Sequence, residues 1–211
     1  MIWKNHSNLT GRHAKLSPSQ SARWATKDLD NDAVFKMINS GYSQEIGTLL
    51  HEYAEQCIRF SLKMTKYSKR DVLKHLLINR IPRNVANEYV ERCFDNLLLY
   101  VNDAIGFRMD PEVILWYSDY IFGTADAIMF RDNKLQIHDL KTGITPAHME
   151  QLLTYAALFC LEYKIKPADI DIELRIYQLE EVIVHKPETD EIVPIIDKIV
   201  TYNKWLTKDL D

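Results

Sequence analysis

Apolar residues recur along the first half of the chain at helical steps. Ile46, Leu50, Tyr53, Ala54, Cys57, Ile58 and Leu62 are spaced so that one amphipathic helix is predicted over about 43–64. Val85, Tyr89, Cys93, Leu97 and Val101 step by four and predict another from Val85 to Ala104. Between them, Ser68 stands where a cap would open a helix running to about Ile78. Upstream, Ser17, Pro18 and Gln20 place a cap, a first-turn proline and a capping-box partner in register for a helix start. The period then changes. Glu112–Ser118, Ile121–Phe130 and Lys134–Lys141 are short and rich in β-branched and aromatic residues, and Arg131-Asp132-Asn133 reads as a hairpin turn. Pro146–Tyr163 is again helical, Asp171–Tyr177 alternates as a half-buried strand, Glu181–Lys186 reads as a further strand, and about 188–208 as a closing helix. That order predicts an α/β fold in which a mixed β-sheet is flanked by helices. It is expected as one domain over 1–211, with an N-terminal helical region at 1–108 and an αβ core at 109–211.

Composition narrows the class. With 211 residues, 46% hydrophobic and 27% charged, the chain can bury one substantial core, and six glycines and seven prolines are few for a loop-rich protein. No apolar run is long enough to cross a bilayer, and the N-terminus lacks an apolar signal core, so a cytoplasmic location and no membrane partner are expected. Cys57, Cys93 and Cys160 are odd in number and far apart. They suggest buried thiols in a reducing compartment and cannot supply an iron–sulfur cluster. No phosphate-loop motif occurs, so no ATP is expected. The net charge of −4 hides an asymmetry. Residues 1–27 carry five Lys or Arg and no acid, and residues 59–83 carry eight against one acid, Asp71. Residues 167–211 carry five basic and eleven acidic residues. The basic segments could hold phosphates or form a solvated helix face.

The chemistry concentrates in Gly123-Thr-Ala-Asp126 and Asp139-Leu140-Lys141-Thr-Gly143. Side chains alternate along a strand, so Asp139 and Lys141 share a face with Leu135 and Ile137. A strand that buries two aliphatic residues and then an acid and a base needs partners for the charges. Asp126 beside Asp139 would repel it unless a cation lay between them. Mg²⁺, or Mn²⁺, takes oxygen ligands, keeps waters and completes its shell with phosphate. Such a site suits in-line hydrolysis of a phosphodiester, with Lys141 orienting the water or stabilising charge as it develops. The alternative is an Asp–Lys ion pair that closes a strand end.

These motifs, with Gln151-Leu-Leu-Thr-Tyr155 and the upstream Gly47-Thr-Leu-Leu-His51, resemble the PD-(D/E)XK nuclease superfamily in its RecB-like branch. His13, Arg23 and Trp24 resemble the opening of phage and prophage members, so the resemblance spans about 13 to 155. It implies a restriction-endonuclease-like fold. Asp126, Asp139 and the carbonyl of Leu140 would ligate the metal, Lys141 would be the catalytic lysine, and His51 a further ligand or water-positioning group. Glu55, Gln151 and Tyr155 would support the site; the alternative reads Tyr155 as core and Gln151 as a surface polar residue. Glu112 is a minor candidate, where some relatives hold an extra acid. The branch often carries an iron–sulfur cluster, which this chain lacks the cysteines to bind.

DNA is the expected substrate, at ends or single strands, with Arg12, Lys15, Arg23, Lys63, Lys66, Lys69 and Arg70 as candidate phosphate contacts. Trp3, Trp24 and Tyr67 are candidates for stacking on bases or for core positions. The reading is a phage-type exonuclease of recombination, repair or processing, acting in the host cytoplasm if phage-encoded. A single-strand annealing or binding protein and a second copy of the chain are its candidate partners. A structure-specific or restriction-type endonuclease is the same-fold alternative, and a catalytically silent nucleic-acid-binding protein the alternative of another class.

Overall fold

Five strands form one mixed sheet in the order β1-β2-β3-β4-β5, with β1 at Asp110–Ser118, β2 at Ile121–Arg131, β3 at Lys134–Leu140, β4 at Asp171–Gln178 and β5 at Glu181–His185. The computed structural model describes residues 1, 3–10, 18–20, 41–81 and 83–208. Neighbouring strands are antiparallel except β3 and β4, which run parallel. A parallel pair needs a crossover, and α4 at Glu150–Tyr163 lies between those two strands in the chain. The helices α1 at Gly41–Arg59, α2 at Lys69–Ile78 and α3 at Arg83–Gly106 precede the sheet, and α5 at Thr189–Lys208 closes the chain. A mixed sheet flanked by helices, with a helical N-terminal region, is thus the architecture that the periodicities predict.

The sheet separates two cores. Ile46, Leu50, Leu76, Leu97 and Val101 of α1–α3 pack with Met129, Leu140 and Tyr177 of the sheet. On the opposite face, Leu135, Ile137, Leu174 and Ile176 pack with Leu152, Ala156 and Phe159 of α4 and with Ile192 and Ile199 of α5. Strand β4 is therefore buried on both sides, because it is central and parallel to β3. Its alternation of charge and apolar residue marks a buried polar network instead of a solvent face. Glu173 bonds Gln136, Lys134 and Arg175, and Arg175 and Tyr177 reach Asp103 of α3.

Turn chemistry sets the strand boundaries. Asp132 and Asn133 have φ of 51° and 57°, as a two-residue primed hairpin turn requires. The β4–β5 turn puts Leu179 and Glu180 at φ of 51° and 63°, which neither side chain favours. Asn96 of α3 holds it there: its Oδ1 accepts from Glu180 N–H at 2.6 Å and its Nδ2 donates to the Glu181 carbonyl at 3.0 Å. Three boundaries differ most from the sequence expectation. Helix α1 ends at Arg59, where Ser61 adopts φ of 53° and the Leu62 N–H closes back on the Cys57 carbonyl at 2.8 Å. Helix α4 begins at Glu150, not Pro146, because Gln178 ties the preceding loop. Gln178 accepts from Ala147 N–H and donates to the Gly143 and Thr145 carbonyls. Pro18–Gln20 forms a single 3-10 turn, and Ser17 lies outside the described residues.

Candidate metal centre

The β2–β3 ladder ends at the pair Ala127–His138, one step short of Asp126 and Asp139. Beyond that pair the strands are joined by a side chain: the Leu140 N–H donates to Asp126 Oδ2 at 3.0 Å. Asp126 is thus inside β2, and it stands where two strands begin to part. On its other side β1 is irregular. Glu112 adopts φ of 53°, and β1 and β2 pair at Pro111–Ala127 and Val113–Ala125 but not at Glu112–Asp126. A left-handed residue inside a strand is costly for a non-glycine residue, and here it places a carboxylate beside Asp126.

Helix α1 brings the third group. His51 Nδ1 lies 3.4 Å from Asp126 Oδ2. One ligand atom each from His51, Glu112 and Asp126 falls within 4.8 Å of the others. Burial, with Asp126 and Glu55 close by, pushes the Glu112 carboxyl up to about 8. Glu55, one turn beyond His51, pairs with Arg59 at 2.5 Å.

Asp139 is buried on the α4 side with Leu135 and Ile137, as strand parity predicts. Lys141 Nζ donates to its Oδ1 at 3.1 Å and lies 3.0 Å from Oδ2, yet Oδ2 receives no hydrogen bond. Burial, and after it Asp126, push the Asp139 carboxyl up against the pull of Lys141, which together leave it at about 6. Lys141 also donates to Gln151 Oε1 at 2.7 Å, so Gln151 of α4 positions the lysine. Tyr155 is core: it is buried, and its hydroxyl donates to the Thr124 carbonyl and receives Gln151 Nε2 at 3.5 Å. Beside Lys141 a cleft opens, lined by Thr145, His148, Gln151 and Gln178.

Two of the motif glycines, Gly47 and Gly123, are explained by close approach. A Cβ on Gly47 would sit 3.2 Å from Thr142 Oγ1, so α1 and the loop after Lys141 touch one turn from His51. A Cβ on Gly123 would collide with the Pro18 ring and stand 3.2 Å from Tyr155 Cε1.

The donor set of two carboxylates and an imidazole nitrogen, with a buried carboxylate oxygen lacking a hydrogen bond nearby, fits a divalent cation. The structure therefore brings His51, Asp126, Asp139, Lys141 and Gln151 to one end of the sheet. It adds Glu112 as a full member, where the sequence supported it only weakly. What Leu140 contributes to the pair is its N–H.

Other candidates lie elsewhere. Lys69 is paired with Glu91 at 2.5 Å. Trp3 packs edge-on against Phe159 and Tyr163 and donates to Asp110. Tyr67 is 77% exposed. Arg12, His13, Lys15, Arg23 and Trp24 lie outside the described residues. The cysteines Cys57, Cys93 and Cys160 are buried and free. Among the described residues no helix is long and apolar enough to cross a membrane.

A family model described as "Protein of unknown function (DUF2800)" matches residues 13–206. The chain belongs to that family. The match runs through all five strands and every motif residue from His51 to Tyr155. Among solved structures the chain is similar to one titled "Crystal structure of SSO0001", at 12% identity and a TM-score of 0.31, covering 75% of this chain and 86% of that chain. A likeness that slight bears on neither fold nor activity.

Proposed function

We propose that this DUF2800 protein is a metal-dependent nuclease of the PD-(D/E)XK type that hydrolyses DNA phosphodiester bonds. One observation carries the reading: His51, Glu112 and Asp126 converge within 4.8 Å while Asp139 and its partner Lys141 stand beside them, so a ligand set and a positioned cation share one end of the sheet. Asp126, Asp139, Glu112 and His51 would hold Mg²⁺ or Mn²⁺, with the Leu140 carbonyl as a further ligand. When bound, such an ion supplies Lewis acidity and lowers the pKa of water.

The chain's own residues do the rest. Gln151 and Asp139 fix Lys141 Nζ from two sides, so its charge is placed before substrate arrives. Tyr155 anchors Gln151 from below through the Thr124 carbonyl. A phosphate entering over Lys141 would lie against an ammonium and near the carboxylates, and its non-bridging oxygens would be stabilised as charge builds on them. Action at DNA ends, as a phage-type exonuclease, is the finer form of the proposal.

The test is cleavage of labelled linear DNA with Mn²⁺ or Mg²⁺ by the wild type and by Lys141→Ala. Loss of a positioned charge donor of this kind costs about 10²–10³ in rate. Equal rates for the two proteins would refute the mechanism. A closed circular substrate cut as fast as a linear one would replace the end-requiring form with an endonuclease.

A further inference from the structure

The connection between α1 and α2 holds its largest apolar side chains in solvent. Phe60 is 67% exposed, Leu62 57% and Tyr67 77%. Such exposure usually accompanies a loose loop, but this one is tied at every step. The Ser61 N–H bonds the Ile58 carbonyl and the Leu62 N–H the Cys57 carbonyl, with Ser61 left-handed at the corner. Met64 is buried, and Asn102 of α3 grips its backbone with one bond to its N–H and one to its carbonyl, both 2.9 Å. Thr65 and Ser68 then form a reciprocal capping box. The fold thus holds the three apolar side chains outward on a tied frame.

The charges there have one sign. From Arg59 to Arg70 there are five Lys or Arg and no acid. Arg59 and Lys69 are paired with Glu55 and Glu91. Among the described residues Lys63, Lys66 and Arg70 have no acidic partner, and Lys66 Nζ lies 5.3 Å from the centre of the Tyr67 ring. Exposed rings set among unneutralised cations match a polyanion that carries flat apolar faces. The loop is also aligned with the centre. His51, Glu55 and Arg59 fall at steps of four on α1 and make one stripe that ends at the loop. Eight residues of helix span about 12 Å, close to four stacked nucleotides at about 3.4 Å each.

We propose that residues 60–67 form a stacking platform for an unpaired DNA strand, with Phe60 and Tyr67 under the bases and Lys63, Lys66 and Arg70 on the phosphates. The choice of nucleic acid rests on the nuclease reading of the neighbouring centre. Duplex DNA has its base faces covered, so the platform selects single strands and frayed ends.

The test is fluorescence anisotropy with a labelled oligodeoxythymidylate and a blunt duplex of equal length, in EDTA so that nothing is cut. Phe60→Ala with Tyr67→Ala should weaken single-strand binding at least about ten-fold and leave duplex binding unchanged, with the melting curve as in wild type. Lys63→Gln with Lys66→Gln should flatten the slope of log affinity against log salt by about 1.4. Unchanged single-strand affinity in the aromatic variant, an equal loss on duplex, or no single-strand binding by wild type would overturn the inference. The two readings fail separately. A protein that binds single strands through the loop but cuts nothing with Mn²⁺ loses the nuclease reading and keeps the platform. One that cuts with Mn²⁺ yet binds identically without the two rings does the reverse.

Discussion

Replacing Asp126 with Asn should leave the metal-free protein folded and abolish its response to a divalent cation. Asn keeps an oxygen for the Leu140 N–H, which Asp126 accepts at 3.0 Å, but it removes one charge from a crowd. That crowd is measurable at Glu112, whose carboxyl burial and the neighbouring Asp126 and Glu55 push up to about 8. The sign follows from the proton. The folded state holds a proton on Glu112 between its ordinary range near 4.5 and about 8, so without a cation this group's contribution to stability falls as pH rises through that window. A cation needs the carboxylate, so binding at pH 7 expels about one proton, and its free energy grows by at most about 1.4 kcal/mol per pH unit up to pH 8. Water reaching this half-buried group makes the real slope smaller. At a hundred times its dissociation constant, Mn²⁺ adds about 2.7 kcal/mol to wild-type stability. For a chain of this size that is a rise in Tm of about 5–11 °C. Thermal melts with and without Mn²⁺ at pH 6, 7 and 8 measure it. A wild-type shift that grows with pH, and no shift in Asp126→Asn, is the expected pair. The same shift in both proteins, or one independent of pH, would refute the cluster as a cation site.

Two further substitutions test the frame around the site. Glu173 lies 7% exposed, and although burial pushes its carboxyl up, hydrogen bonds from Lys134, Arg175 and Gln136 outweigh that and hold it down at about 2. Its folded pKa is depressed, so its contribution is present above about 4.5 and lost as pH falls through about 2, at most about 3 kcal/mol. Urea melts at pH 6 and pH 3 should show part of that loss, about 2 kcal/mol, in wild type and a smaller one in Glu173→Gln, and parallel losses in both would refute it. Gly123→Ala pushes a methyl into the Pro18 ring and against Tyr155, so it should cost about 1–3 kcal/mol of stability. An unchanged denaturation midpoint would show that Pro18 yields freely.

Element type was legible wherever one periodicity covered a whole element, as in α3, where Val90, Cys93, Phe94, Leu97 and Val101 face the core. Boundaries were not, because side chains distant in sequence set them. Gln178 holds back the start of α4, and the polar partners of β4 on α3 disguise a central strand as a half-exposed one. Within the site, Asp139 and Lys141 followed from parity, whereas Gln151 came only from the motif resemblance of Gln151-Leu-Leu-Thr-Tyr155, and spacing alone left it a surface residue. Glu112 was harder to weigh, because β-alternation assumes a regular strand and Glu112 departs from one.

That irregularity is what makes the centre. Ala125 and Ala127 flank Asp126 and in a regular strand would share a face, yet Ala125 packs into the α4 core and Ala127 into the α1–α3 core. The strand turns over at Asp126, opposite the left-handed Glu112 and one step beyond the last β2–β3 pair. A turned strand lets Asp126 meet His51 from α1, while Asp139, across the end of the ladder, is held with Lys141 and Gln151 of α4. The two halves come from opposite layers of the fold and carry opposite needs: the His51 side gathers carboxylates without a lysine, and the Asp139 side has its lysine already. Asp139 Oδ2, buried and without a hydrogen bond, is the group that a cation held by the first half would satisfy in the second. A centre built this way depends on the gap between β2 and β3 staying open, and the Leu140 N–H on Asp126 holds it so by replacing a ladder bond with a side-chain one.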